Sequence, residues 1–451
     1  MNLSLYLNGA FFSESAFESS RLLSSDYEAA QRDVCDALAD AGCDGWDYDH
    51  AIRDPDRLRF DIRSKYPTLI PVSFASKSGE QLTDRVAELV AKCAPDADGI
   101  DVELGKVDID FFDFGVGVIG LVLRLGSQPS TSLQDIRALA EELSTRLAPD
   151  LNPVVDEAAS EFHRAAKKKL PEAVVQSSWL QEDGVLVRSE DREHALGRSA
   201  PGRLLWLHRT YVFPPADRAV EAHLEELLPN LFERDESADL CFLAGLGSSA
   251  IAARTTAAYE GTTLKDVKSL LTLMDLQWAY IAAAMEIDRT LFRRLNDFRA
   301  QAGDAEPDEL EEESRLVLQL YDRVRLFNAT INSMLIDLGG GTRRSWDLMA
   351  NVQSIPELSA TIDDKLSALR NACDTMIGEA SIRRQRRIAF IVELFTGFSV
   401  VASAAGVAAF FFATDLDASS TVRVVVLILA AMVVVLALGL ARAVRDKVHD
   451  R

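Results

Sequence analysis

The hydrophobic positions of this chain follow a strand-like period in its first half and a helical period in its second half. Apolar and polar residues alternate at 3–7 (LSLYL) and 58–62 (LRFDI), a pattern typical of β-strands with one buried face. Helical spacing appears between or after such runs. We predict further strands at 68–74, 99–104, 108–125 (two or three with the preceding run), 204–213 and 241–246, and helices at 27–41, 80–94 and within 132–170. This interleaving predicts an α/β domain over residues 1–255.

Two long helical patterns follow this domain. Apolar residues recur at intervals of three and four across 264–299 and 308–338, and an acidic linker at 303–309 separates them. A short connection between two helices favours antiparallel packing. We therefore predict an antiparallel helical pair within residues 256–342.

A heptad pattern occupies the next segment, residues 343–387, which we call the stalk. Its apolar positions form a seam with spacing 4-3-4-3-4: Ile362, Leu366, Leu369, Cys373, Met376 and Ala380. The pattern leads into a long apolar run, and it predicts one helix from about Glu357 into that run. Two interpretations stay open: the seam packs inside one chain, or it joins the subunits of a symmetric homo-oligomer.

Two strongly apolar runs close the sequence. The first is assigned to 388–414 and has Glu393 as its only ionisable residue. Its residues 388–413 would extend roughly 39 Å as a helix, enough for a hydrocarbon core of ~30 Å. The second, at 424–442, follows a polar link at 415–423 and precedes a basic tail at 443–451. Two such runs in tandem favour a transmembrane hairpin over a pair of buried core helices.

Basic residues flank the two runs and predict their orientation. The first run is preceded by four arginines, which we call the arginine collar: Arg383, Arg384, Arg386 and Arg387. The second ends at Arg442 and is followed by Arg445 and Lys447. Basic residues near span ends stay on the cytoplasmic side. We therefore expect a multi-pass protein of the plasma (inner) membrane, with both termini cytoplasmic. Glu393 lies near the cytoplasmic end, where pairing with Arg386 or Arg387 is expected.

The first run carries small and polar residues at helical spacing, which we call the polar stripe: Thr396, Ser399, Ser403, Gly406 and Phe410. Small residues at this spacing allow helices to approach closely. They would also line a pore if several copies of the first span met around an axis. Both interpretations stay open. In the second, Asp415 and Asp417 of the link would concentrate cations at the outer mouth.

Composition and motifs argue against several other classes of function. The net charge of −22 disfavours nucleic-acid binding, which requires a basic surface. The five cysteines and six histidines show no zinc-ligand spacing. The odd number and scattered positions of the cysteines indicate reduced thiols. GLGSSA at 245–250 lacks the lysine of a phosphate-binding loop and is expected to be a plain turn. With no nucleophile or acid–base motif, we expect neither an enzyme nor a bound cofactor.

The order of elements resembles the CorA-type magnesium channel family, most closely over 343–451. The resemblance implies an α/β N-terminal cytoplasmic domain, an all-α stalk and a C-terminal two-helix transmembrane hairpin. It also implies a pentamer whose first span lines the pore. The family's Gly-Met-Asn motif, which binds the hydrated ion, is replaced here by FFFATDLDASS, and Phe410–Phe412 would narrow the outer mouth.

Two functions are therefore expected from the sequence. One is a homo-oligomeric cation channel or transporter gated by its cytoplasmic domain. The alternative is a membrane-anchored sensor or effector of a bacterial stress or defence system, in which the α/β domain binds a ligand or partner and the hairpin acts at the membrane.

Overall fold

A computed structural model describes most of the chain. The described residues are 2–13, 15–17, 24–48, 73–94, 100–128, 131–170, 175–177, 202–228, 232–260, 266–301, part of 314–335, 340–412, 428 and 431–432. The predicted strand at 58–62, most of that at 68–74, the linker at 303–309, the link at 415–423, most of 424–442 and the tail lie outside them. Two compact units are formed, Met1–Arg293 with Asp322–Lys365 and Arg294–Tyr321 with Leu366–Arg451.

Nine strands of the first unit form one sheet. They are β1 (Asn2–Phe12), β3 (Trp46–Asp47), β4 (Ala75–Lys77), β5 (Ile100–Phe111), β6 (Val116–Ser127), β8 (His208–Phe213), β9 (Phe232–Glu236), β10 (Leu240–Gly245) and β11 (Ser248–Ala253). Their spatial order is β3-β4-β5-β6-β1-β8-β11-β10-β9. Neighbours are antiparallel except β8 and β11, which are parallel. Two short strands, β2 (Ser15–Phe17) and β7 (Val175–Ser177), pair separately.

Helices lie between these strands and dominate the rest of the chain. They are α1 (Ser24–Asp40), α2 (Glu80–Cys93), α3 (Leu133–Lys169), a 3-10 helix (Pro215–Leu227), α4 (Thr256–Glu260), α5 (Val267–Gln301), α6 (Gly340–Val352) and α7 (Ile355–Phe412). The described residues of 314–335 are also helical. The predicted α/β domain followed by a largely helical region is confirmed.

The central strand β1 explains why both sheet faces are covered. Its odd-numbered residues Leu5, Leu7 and Phe11 are buried in a core shared with α1, α2 and α3. Its even-numbered residues Tyr6 and Asn8 are buried on the other face, where their side chains bond to α5. Alternate residues of a strand point to opposite faces of the sheet. Because both faces are covered at β1, residues of both sets are buried.

The structure corrects the predicted boundaries of two strand segments. The run at 108–125 contains the end of β5 and most of β6, joined by a tight turn in which Gly115 has a φ of 86° and the Phe112 N–H donates to the Val116 carbonyl. The strand predicted at 204–213 begins only at His208.

GLGSSA forms the turn between β10 and β11, with Gly247 at a φ of 81°. Glycine occupies this left-handed region without steric cost.

Candidate functional site

Helix α7 runs unbroken for 58 residues, from Ile355 to Phe412. At 1.5 Å per residue its length is ~87 Å. It begins two residues before the predicted start at Glu357 and contains the seam, the arginine collar and the apolar run in one helix. The prediction of a single helix from stalk to apolar run is confirmed.

The seam of α7 is covered by the chain itself. Ile362, Leu366, Leu369, Cys373 and Met376 are all buried. The Cys373 thiol lies 3.7 Å from the Ser314 carbonyl oxygen, a contact within the second unit. Packing inside one chain is therefore what the structure shows for these positions. These five described seam side chains are therefore not exposed at the surface.

The apolar run of α7 has the opposite environment. Phe390, Phe395 and Phe398 are 63, 68 and 66% exposed, and Ile388 and Ile391 are also exposed. The segment Ile355–Ala404 is long and apolar enough to cross a membrane, and its most apolar part is not buried. Large contiguous apolar surfaces of this kind mark contact with a membrane or another protein.

A second helix passes the same test of length and composition but has a different role. Val267–Asn296 of α5 is mostly buried in the first unit. Its Trp278 packs against Trp206 and His208 at centroid distances of 5.3 and 4.9 Å. Residues of this helix fill the second face of the sheet. Helix α5 is therefore a core helix of the folded domain.

The apolar run of α7 has two distinct sides. Val392, Thr396, Val400 and Ser403 are half-buried and lie within one narrow arc of the helix, whereas the large exposed side chains lie opposite. The residues of the polar stripe thus differ in their exposure to solvent. Ser399 and Gly406 are exposed, and Phe410 belongs to the helix with its side chain outside the described set. The Thr396 hydroxyl donates to the Val392 carbonyl at 2.6 Å.

The arginine collar is largely solvent-exposed. Arg384, Arg386 and Arg387 are exposed, and among the described residues none of the three has an ion-pair partner. Arg383 is half-buried. Glu393 is exposed and forms no ion pair with Arg386 or Arg387, contrary to the pairing expected from their proximity in sequence.

A buried carboxyl on α5 was not identified from the sequence. Asp275 accepts a hydrogen bond from the Tyr6 hydroxyl at 2.6 Å and from the Asn8 side-chain amide at 2.8 Å. Burial raises the pKa of Asp275 to about 7, and the nearby charges of Asp110 and Asp108 act in the same direction. The available signal was a lone carboxylate in the apolar stretch LLTLMDLQW.

A second buried carboxyl lies three turns further along α5. Glu286 is 1% exposed, and burial raises its pKa to about 7, while the guanidinium groups of Arg293 and Arg289 act in the opposite direction. The Arg293 guanidinium lies 3.3 Å from Glu286 Oε1. Helix α5 thus carries two carboxyl groups whose neutral form is populated near neutral pH.

The same sheet face holds a serine–histidine pair. His208 Nε2 lies 3.0 Å from Ser249 Oγ, and burial lowers the pKa of His208 to about 3. Both side chains are at most 2% exposed. His208 Nδ1 has no hydrogen-bond partner among the described residues, so no carboxylate there orients the ring as in a catalytic triad. The arrangement is that of a core contact.

One cluster has the composition of a metal site. Ligand atoms of Glu221, Glu236 and Cys241 lie within 4.8 Å of one another. Two guanidinium groups already contact these carboxylates: Arg234 approaches Glu236 at 2.7 Å, and Arg254 bridges Glu236 and Glu221. A cation would have to displace them, so the cluster is a charge-balanced ion-pair network.

The chain was compared with protein families, curated proteins and solved structures. No protein-family model, no curated protein and no solved structure matches this chain.

Proposed function

We propose that the chain is an integral membrane protein whose α/β domain gates a cation channel formed by several copies of α7. The observation that carries this proposal is the exposed apolar run of α7, which continues a helix of the folded region and follows directly after the arginine collar. In this proposal 388–414 and 424–442 form a transmembrane hairpin in the plasma (inner) membrane, with both termini cytoplasmic.

The two sides of α7 support an orientation within the bilayer. Bulky side chains such as Phe390 and Phe398 face lipid, and the half-buried side with Thr396 and Ser403 faces other helices. Copies of this side around an axis place hydroxyl groups along a pore, as in the first span of CorA-like pentamers. Asp415 and Asp417 then lie at the outer mouth, where they concentrate cations.

The proposal is tested by flux through the reconstituted full-length chain. In liposomes loaded with a cation-sensitive dye, wild-type protein should conduct cations. Ser403→Leu should lower the flux at least several-fold, because it replaces a small polar side chain by a bulky apolar one on the pore side.

Val401→Leu is the matched control, since Val401 lies on the lipid-facing side and is 66% exposed. This variant should conduct like the wild type. Equal flux through the wild type and Ser403→Leu would contradict a pore lined by this side of the helix.

The burial of the seam favours a second candidate function. Leu369 and Cys373 of the seam are covered within the chain, which supports a protein that needs no subunit contact through these positions. A membrane-anchored sensor or effector needs no shared axis. The mass of the protein in detergent separates the two: a pentamer supports the channel, and a monomer excludes a shared axial pore.

A further inference from the structure

Three cationic side chains at the start of the exposed apolar run have no ion-pair partner in the part of the chain that the structure describes. Arg384, Arg386 and Arg387 are exposed and unpaired among the described residues, although the chain as a whole has 70 acidic side chains. Elsewhere in the described chain, arginines such as Arg234 and Arg254 contact several carboxylates each. Arg384, Arg386 and Arg387 therefore form a concentrated positive surface that no described carboxylate neutralises.

The collar and the bulky apolar residues share one side of α7. With about 100° between successive residues, the unpaired arginines and Phe390, Leu394 and Phe398 fall within one half of the helix circumference. The half-buried Thr396 and Ser403 lie in the other half. Guanidinium groups thus continue, toward the N-terminus of α7, the same side that exposes phenylalanine rings.

The axial spacing matches the layers of a bilayer. Phe398 lies 12 positions after Arg386, which corresponds to ~18 Å along a helix. Half of the hydrocarbon core measures ~15 Å. With Phe398 near the bilayer centre, the collar reaches the level of the lipid phosphates.

We propose that the arginine collar of α7 binds the phosphate groups of anionic lipids in the cytoplasmic leaflet and selects them over zwitterionic lipids. Guanidinium groups bind phosphate through paired, charge-assisted hydrogen bonds. Because the chain carries a net charge of −22, its acidic domain is repelled by an anionic surface, and the collar supplies the local attraction. This inference rests on the proposed position of α7 in the bilayer and adds the class of lipid.

The test measures lipid binding by the full-length chain in detergent, independently of conduction. Fluorescent phosphatidylglycerol and phosphatidylcholine are titrated into the wild type and into the triple variant Arg384→Gln/Arg386→Gln/Arg387→Gln. The wild type should bind phosphatidylglycerol more tightly, and the triple variant should lose on the order of tenfold or more of that affinity. The wild-type preference should also weaken as salt is raised.

A matched control removes equal charge from another helix end. Lys167, Lys168 and Lys169 are exposed in the last turn of α3, and Lys167→Gln/Lys168→Gln/Lys169→Gln should bind phosphatidylglycerol like the wild type. The proposal is overturned if both triple variants lose affinity equally, which would indicate a general charge effect. It is also overturned if the wild type shows no preference for phosphatidylglycerol, or if inorganic phosphate at the lipid concentration displaces the lipid.

These outcomes are distinct from failure of the channel. A chain that binds phosphatidylglycerol through the collar and shows no cation flux would retain this inference while contradicting the pore. A chain that conducts without any lipid preference would do the reverse.

Discussion

At the scale of single residues, Asp275 is the most informative side chain of the first unit. Its carboxyl accepts bonds from Tyr6 and Asn8, yet Asn8 Oδ1 has no partner among the described residues. Because burial raises the pKa of Asp275 to about 7, the neutral form is populated near neutral pH. A protonated Asp275 can donate to Asn8 Oδ1 after the amide turns over, so the pair can stay hydrogen-bonded without a buried charge.

The raised pKa predicts a specific pH dependence of stability. In the unfolded chain Asp275 has the usual value of 3.8, so between pH 4 and pH 7 the folded state binds the proton more tightly. The contribution of Asp275 to the free energy of unfolding is therefore fully present below pH 4, falls as pH rises to about 7, and is constant above that. Asp275→Asn should be more stable than the wild type at pH 8, by on the order of 3 kcal/mol, and equal to it near pH 4.

Urea unfolding of the full-length chain in detergent checks this prediction. All five tryptophans lie at or before position 346, so their fluorescence reports the first unit. Asp84→Asn, at an exposed position of α2, is the control and should leave the pH profile unchanged. Part of the decrease in the free energy of unfolding with rising pH should remain in Asp275→Asn, because Glu286 titrates in the same range. An Asp275→Asn protein less stable at every pH would show that an ionised carboxylate holds Tyr6 and Asn8.

At this scale the sequence shows the residues but not their environments. A carboxylate inside an apolar helix is visible in LLTLMDLQW, yet its partners Tyr6 and Asn8 are more than 260 positions away. The same applies to His208 and Ser249, whose contact depends on the parallel pairing of β8 with β11. No local pattern predicts which distant strand lies beside such a residue.

At the scale of elements, a glycine of β6 leaves room for an aromatic ring on the neighbouring strand β1. Phe11 of β1 pairs with Gly117 and lays its ring across that position, where an added Cβ would lie 2.7 Å from the Phe11 Cε2 atom. Phe11 is fully buried and cannot move into solvent. The glycine is thus required by the ring opposite it.

Gly117→Ala should therefore destabilise the first unit. The methyl group overpacks a closed core, and a loss of about 2 kcal/mol in the free energy of unfolding is expected, measured by the same tryptophan fluorescence. Gly126→Ala on the same strand is the control, because its nearest added contact is Asp101 Cβ at 3.8 Å. Equal stability of the Gly117→Ala and Gly126→Ala proteins would show that the Phe11 ring shifts easily.

Long elements were predicted better than short ones. Helix α7 begins within two residues of its predicted start because heptad spacing and an apolar run both specify a helix over 58 residues. By contrast, the turn between β5 and β6 was not located within 108–125, since β6 is buried on both faces from its first residues and shows no alternating period there. The heptad seam predicted burial but not the partner, since spacing alone does not distinguish a helix of the same chain from a second copy.

At the scale of the whole molecule, the proposed orientation in the membrane rests on the placement of basic residues. The arginine collar precedes the apolar run, and the second run ends at Arg442 and is followed by Arg445 and Lys447. Positive charge on both outer flanks of a hairpin predicts that the α/β domain and the C-terminus share the cytoplasmic side.

Protease protection tests this orientation. In bacterial spheroplasts that express the full-length chain with an N-terminal tag, protease added outside should leave the tag and the α/β domain intact. The same protease should digest them once the membrane is permeabilised. A cytoplasmic marker protein serves as the control for intact membranes. Digestion of the tag in sealed spheroplasts, or a protein that stays dispersed without detergent, would contradict the membrane topology.

The state of the five free cysteines has a practical consequence for studying α7. Cys35, Cys93, Cys241 and Cys373 are buried and Cys43 is half-buried. Burial raises the pKa of all five thiols, that of Cys35 to about 12, so little reactive thiolate is present at neutral pH. A single probe introduced by Ser381→Cys, at an exposed position of α7 ahead of the apolar run, can thus be attached selectively with maleimide reagents, without first removing the native sulfhydryls.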